Sequence, residues 1–274
     1  MINQILNIKT NLKKILNLII NLKLHQKETI VVCFAGVMNR SIHLTYNNIA
    51  KQILKPILTK YNYDIYVFNN NIENAIIDSV RISNSNLKCV EDILFFEEET
   101  QSIIDNNINT KLKNNNWINP FYIWYKGHES YKRSTMAQNA LRQLYCENKV
   151  AEFLKKSSYK KGIFITPDFY FHNMLDIEKI IFDDDNIYIP DNNDARGYTN
   201  GFYIGNVNLL IKIMQRYHYI DILIKDYEYG VMLACNINKI NRKILNIYFV
   251  KIRADKSIWK NGKKPQIDSY LSKL

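Results

Sequence analysis

The residues best suited to chemistry lie between Gly162 and Gly205. There the apolar run Ile163-Phe164-Ile165-Thr166 leads straight into Pro167-Asp168-Phe169-Tyr170-Phe171-His172. A buried strand that ends on a lone carboxylate is costly unless a metal, a cation or hydrogen-bond donors meet it. Asp168, with His172 four residues on, offers the oxygen and imidazole donors that suit Mn²⁺. The competing role for Asp168 is to cap the following turn, a common use of Asp that Pro167 favours; the residue types leave the two roles level. Asp191 and Asp194 follow a second apolar run, Asn186-Ile187-Tyr188-Ile189-Pro190. With Gly197, Tyr198, Thr199 and Asn200 they line either a polar pocket or a plain surface loop. Glu228 opens a helical stretch, where the helix dipole favours a carboxylate with or without a role as general base. The triplet Asp183-Asp184-Asp185 precedes a strand and reads as solvated turn acid. The remaining histidines, His25, His43, His128 and His218, show no ligand spacing.

These residues must be positioned by an alternating scaffold. Thr29 to Ala35 is a continuous apolar run of strand length, as expected of a strand covered on both faces. Gly36-Val37-Met38-Asn39-Arg40-Ser41 follows as a tight loop, then an amphipathic stretch from His43 to Tyr61 and a second strand, Tyr63 to Phe68. A strand, crossover helix and strand imply parallel pairing. At such a junction the helix N-terminus offers N–H groups to a phosphate, and Arg40 lies one turn in. The loop is neither a G-x-G-x-x-G nor a Walker pattern, so it specifies no particular nucleotide.

Further on, Leu87 to Val90 reads as a short third strand, Glu97 to Ile104 as a helix, and the Asn-rich stretch Asn106 to Asn116 as a surface loop. Ser134 to Lys156 is strongly helical. Helices are expected around Val207 to Tyr217 and Tyr227 to Cys235, with a last strand from Ile244 to Val250 and a basic tail. At the N-terminus, Ile5, Ile8, Leu12, Ile15, Ile19 and Leu22 recur at spacings of three and four, one stripe of a helix. Residues 1–27 are therefore expected to form an amphipathic helix packed on a single domain of residues 28–274. A dimerising coiled coil and an interfacial membrane helix are the alternatives.

The chain has 274 residues, enough for one large core, and 47% hydrophobic content argues for a globular protein. Its net charge of +11 would suit an anionic partner, but the lysines are dispersed and form no basic helix face, so no nucleic-acid partner is expected. The four cysteines, Cys33, Cys89, Cys146 and Cys235, stand far apart without a C-x-x-C pair and read as buried free thiols. No run approaches the length of a transmembrane span, and the start lacks the order of a secretory signal. A soluble, intracellular protein is expected.

The ordered set of motifs resembles GT-A-type glycosyltransferases and related sequences, including those of large DNA viruses. The resemblance is carried by Ala35-Gly36…Arg40-Ser41, Tyr63-Asp64-Ile65-Tyr66-Val67-Phe68, Gln143-Leu144-Tyr145, Pro167-Asp168 and Asn200-Gly201-Phe202-Tyr203-Ile204-Gly205, over about residues 28 to 255. It implies an α/β fold with a mostly parallel twisted sheet and helices on both faces. It also implies a nucleotide-sugar donor, a glycan or protein acceptor, Mn²⁺ or Mg²⁺ as cofactor, and a cytoplasmic setting (that of the host for a viral protein). On this resemblance Gly36, Arg40, Asp168, Tyr170 and Arg253 approach the donor, and Asp168 with His172 would hold the metal. Asn200, Phe202 and Tyr203 would face the acceptor, and Asp168, Asp191, Asp194 and Glu228 are the catalytic carboxylates. The chain departs from the family pattern at three positions. Thr166 stands where an Arg is common, Gly201 where an Asp is common, and Tyr170 where an Asp-x-Asp motif would have its second carboxylate.

Overall fold

The computed structural model describes residues 27–114, 130–191, 197–219 and 227–259. The N-terminal stripe, Asp194 and the basic tail after residue 259 lie outside the described residues. Twelve strands and five longer helices are described. Seven strands form one sheet: β1 (Thr29–Gly36), β2 (Asn62–Asn71), β5 (Ile93–Thr100), β6 (Lys161–Ile165), β8 (Asn186–Pro190), β9 (Phe202–Asn206) and β10 (Asn241–Leu245). Their order across the sheet is β10-β8-β9-β6-β1-β2-β5. Every pairing is parallel except those of β9, which runs antiparallel to both β6 and β8. The molecule is thus an α/β protein with a mostly parallel central sheet.

The apolar run at 29–35 gives β1 its central position, since alternate residues feed two different cores. Val31, Cys33 and Ala35 face one core with Ile104, Leu141, Leu144, Val150 and Leu210. Ile30, Val32 and Phe34 face the other with Met38, Ile42, Ile49 and Phe171. Helix α1 (Met38–Ile49), continued by a π-helical stretch (Ala50–Leu54) and a last turn (Lys55–Ile57), covers the second face. Helices α2 (Gln101–Asn114), α3 (Ser130–Lys156), α4 (Val207–Met214) and α5 (Tyr227–Ile237) belong to the first. A small sheet, in the order β12 (Ile258–Trp259), β11 (Phe249–Ile252), β7 (Phe169–Phe171), packs beside α1. A hairpin of β3 (Ile76–Ile77) and β4 (Val80–Arg81) follows β2. No helix among the described residues is long and apolar enough to cross a membrane. Three of the free cysteines are buried and Cys89 is half-buried.

Four local expectations are corrected. Leu87 to Val90 is no strand; a 3₁₀ helix spans Asn84–Cys89. The third strand is β5, whose Glu97-Glu98-Glu99 suggested a helix. Its pairing to β2 decides the matter, because an edge strand takes its conformation from backbone hydrogen bonds rather than burial. The Asn-rich stretch is helical as far as Asn114, because Ile104 and Ile108, one turn apart, are buried against α3. The run Ile244 to Val250 is divided between two sheets, β10 in the large one and β11 in the small one.

Candidate functional site

From β1 the chain builds outward to β2 and β5, then returns to place β6 on the other side of β1. The order therefore reverses between β1 and β6, and in open α/β sheets ligands bind outside the carboxyl ends of the strands at such a reversal. Gly36 ends β1, and Thr166-Pro167-Asp168 follow β6, so the two segments singled out in the sequence meet at the reversal. Gly36 has φ +121°, and a Cβ there would lie 2.9 Å from Gln143 Oε1 of α3. Only glycine fits both the backbone and the approach of that side chain.

Three segments far apart in sequence are pinned together here. Thr45 of α1 donates to the Pro167 carbonyl (2.6 Å), and Ser41 donates to the Ile252 carbonyl (3.0 Å). The Ile252 amide in turn donates to the Asp168 carbonyl (2.8 Å). The result brings Arg40, Asp168 and Arg253 into one corner. Arg40 donates from Nη2 (2.9 Å) and Nε (3.2 Å) to Asp78 Oδ2, which also accepts from the Ala254 amide (3.2 Å). Burial and the nearby Arg40 hold the Arg253 guanidinium below its ordinary pKa, against the pull of Asp168, Asp78 and Asp255. The corner sets two guanidinium groups among the carboxylates of Asp78, Asp168 and Asp255, so an incoming anion binds there only by displacing a carboxylate from a guanidinium.

Asp78 is not among the residues that the sequence pattern singles out. It sits with Ser79 in the two-residue loop of the β3–β4 hairpin, both at positive φ (49° and 63°). Two such residues between short apolar runs are a hairpin signal, and Asp tolerates the left-handed region better than most residues. The helix N-terminus is less open than expected. The Met38 amide already donates to Asn69 Oδ1 (3.2 Å) at the end of β2.

His172 does not join this corner. Asp168 and His172 flank β7, with Asp168 bonded opposite Ile252 and the His172 amide donating to the Tyr248 carbonyl. Four residues of extended strand separate them by about 13 Å, whereas the spacing of four closes only on a helix. Tyr170, between them, packs with Val250, Ile252 and Ile258. Among the described residues no three His, Cys, Asp or Glu side chains converge to hold a metal ion.

The expected acceptor residues are also drawn inward. Phe202 and Tyr203 are 0% exposed, and strand alternation in β9 sends Phe202 to the α1 face and Tyr203 to the α3 face. Asn200 Oδ1 accepts from the Tyr203 hydroxyl (3.1 Å) and from Arg216 Nη2 (3.1 Å). Arg216 follows α4 in a 3₁₀ turn (Gln215–Tyr219) and forms a fully buried ion pair with Glu147 of α3, Nη1 to Oε2 at 2.6 Å and Nη2 to Oε1 at 3.0 Å. Gln143 donates to the same carboxylate (3.2 Å), which links this network to the glycine at the end of β1. Burial pushes the Tyr203 hydroxyl well above the usual tyrosine pKa, so it acts as a neutral donor and acceptor. The signal for Glu147 was present, since it stands three residues from both Leu144 and Val150 on the buried side of α3.

Thr166 and Gly201, two positions singled out in the sequence, touch. The Thr166 amide donates to the Gly201 carbonyl (2.8 Å), and a Cβ on Gly201, at φ +97°, would lie 2.6 Å from Thr166 Oγ1. An Asp at 201 and this threonine at 166 exclude each other.

Asp191 is exposed just past β8, two strands away from β6. Glu228 stands in the first turn of α5, which packs on α4 and β10 toward the far edge of the sheet; its side chain is not among those described. The described structure therefore joins Gly36, Arg40, Asp168 and Arg253, and sets Asp191 apart. No family model matches this chain, and no curated protein matches it.

Proposed function

We propose that this chain is a glycosyltransferase of GT-A type, moving a sugar from a nucleotide-sugar donor to a hydroxyl of a glycan or protein. The observation that carries the reading is the convergence of Arg40, Asp168 and Arg253 at the carboxyl ends of β1 and β6. The single reversed strand in an otherwise parallel sheet, and the small sheet beside the carboxyl end of β6, also support a GT-A-type architecture. In this reading Arg40 exchanges Asp78 for a phosphate oxygen, and Arg253 meets the same diphosphate. Charge that builds on the leaving diphosphate is then stabilised by groups already in place. Asp168 accepts a donor sugar hydroxyl or takes the acceptor's proton, a role for which Asp191, Asp194 and Glu228 are further candidates.

Mn²⁺ or Mg²⁺ would neutralise the same diphosphate. The described side chains do not fit such an ion, since His172 is held away from Asp168, the nearby Asp78 is taken by Arg40, and no three such donors converge among the described residues; no step above runs through a metal. The second reading is a transferase fold that binds without turnover. The packed Thr166–Gly201 contact and the buried Asn200 and Tyr203 favour it, because they fill positions where the family pattern has chemistry.

A thermal-shift panel of UDP, GDP, CMP and their common sugars, with and without Mn²⁺, tests both. A ligand at a hundred times its Kd stabilises the folded state by about 2.7 kcal/mol. A shift for one nucleotide, diminished in Asp168→Ala or Arg40→Ala, is expected. A shift without sugar transfer or donor hydrolysis would favour the binding module. No shift from protein that melts cooperatively would sink the donor site.

A further inference from the structure

The end of the sheet away from the candidate site carries an apolar surface of its own. β5 forms the edge of the large sheet, and among the described residues nothing pairs its outer side. Leu94, Phe95 and Phe96 are 56%, 39% and 45% exposed. Glu97, Glu98 and Glu99 blunt the second half of this edge with charge, which leaves Leu94 to Phe96 as its apolar, uncovered part. Beside the edge runs a groove of about 700 Å³ lined by Phe95, Phe153, Asp64, Tyr159, Glu28 and Thr29. Its apolar wall is built by Phe153, which stacks on Tyr66 (3.9 Å between centroids) and meets Phe95 (5.2 Å).

We propose that this groove and the β5 edge are the docking site of the chain's own N-terminal stripe, residues 5–22. Where the segment joins the fold is the first argument. Glu28 lines the groove, its carbonyl accepts from the Asn62 amide (3.0 Å), and the Lys27 carbonyl accepts from Asn62 Nδ2 (3.2 Å). The incoming chain is thereby held against the start of β2, the strand that separates β1 from β5. Length agrees. As a helix the stripe from Ile5 to Leu22 spans about 26 Å, and the eight residues of β5 span about 27 Å. The six residues from Leu22 to Glu28 reach up to about 20 Å, twice the roughly 10 Å between β1 and β5. Charge agrees as well. Residues 1–26 hold Lys9, Lys13, Lys14 and Lys23 and no acidic residue; the match is with the edge, where Glu91, Asp92, Glu97 and Glu98 are exposed, and not with the end of the groove that carries Lys156 and Lys160. A short tether gives the chain's own segment an effective concentration in the millimolar range, which favours it over a second copy at ordinary concentrations.

Photo-cross-linking of the full chain tests this, with benzoylphenylalanine replacing Phe95 and, as control, Ile244, which is 57% exposed at the opposite edge. The expected result is cross-linked peptides joining position 95 to residues 1–26 in the monomer band, with none from position 244. Leu12→Glu with Ile15→Glu should cut that yield roughly tenfold, since two aliphatic side chains would no longer be buried. Cross-links found only in a dimer band would assign the surface to a second copy and overturn the proposal. Absence of cross-links to residues 1–26, or a yield unchanged by the double substitution, would overturn it too.

Discussion

Two arginine–carboxylate pairs near the reversal of the sheet differ in one respect that decides what each can do. Arg40–Asp78 is about one-fifth exposed on both sides, and Arg216–Glu147 is not exposed at all. The buried pair is engaged by protein partners on both sides, among them Asn200, Tyr203 and Gln143. It holds the Asn200–Gly201 loop and α3 in register beneath the end of β1. The half-exposed pair sits on a hairpin loop, within the field of a second arginine, where solvent can replace either partner. A ligand can compete for a guanidinium in the second setting and not in the first. Similar chemistry therefore gives a fixed support in one place and, on the proposed function, a surface open to a ligand in the other.

The largest effect that would break this contrast is at the support. Glu147→Ala leaves Arg216 charged, buried and without its carboxylate, and should cost about 3–5 kcal/mol in urea unfolding. The paired replacement Glu147→Leu with Arg216→Met should recover most of it. A loss below about 1 kcal/mol for Glu147→Ala would mean that the pair does not support the loop. Next comes Gly201→Ala, which combines an unfavourable positive φ with a clash on Thr166 and should cost about 1–3 kcal/mol. Thermal melts of Gly201→Ala matching the unsubstituted protein would remove the argument that positions 166 and 201 are coupled. The smallest stability effect is expected at the receptive corner. Arg40→Ala should lose no more than about 1 kcal/mol, as for other pairs near the surface. Its effect should appear instead in calorimetric titration with pyrophosphate, as an affinity loss of about tenfold or more. Equal affinity in both proteins would show that Arg40 does not meet phosphate.

Legibility followed burial. β1, β2, β6, β8 and α3 were readable because each has an apolar pattern that one periodicity explains, and the parallel pairing of β1 and β2 followed from the helical stretch between them. β5 was not readable, since a half-exposed acidic edge strand has no such pattern. The break at Asn246 was hidden because the residues on either side are equally apolar. At the site, Gly36, Arg40 and Asp168 stand out by their positions at strand ends and loops, and Arg253 enters only through the resemblance. Asp78 and Glu147 carry local signals, a hairpin loop and a buried helix position, but nothing local names an ion-pair partner 38 or 69 residues away.

An α/β protein, the strand end that carries Asp168, the glycine that closes β1 and the separation of the cysteines can all be read along the chain. These depend on hydrophobic period and backbone preference, which act over a few residues. Long-range packing settles that β9 runs backward, that Asn200 and Tyr203 face a buried arginine, that His172 is held away from Asp168, and that Thr166 and Gly201 fill each other's space. Those outcomes depend on which distant surfaces meet, and the free energy of that meeting is shared among segments that no short window contains.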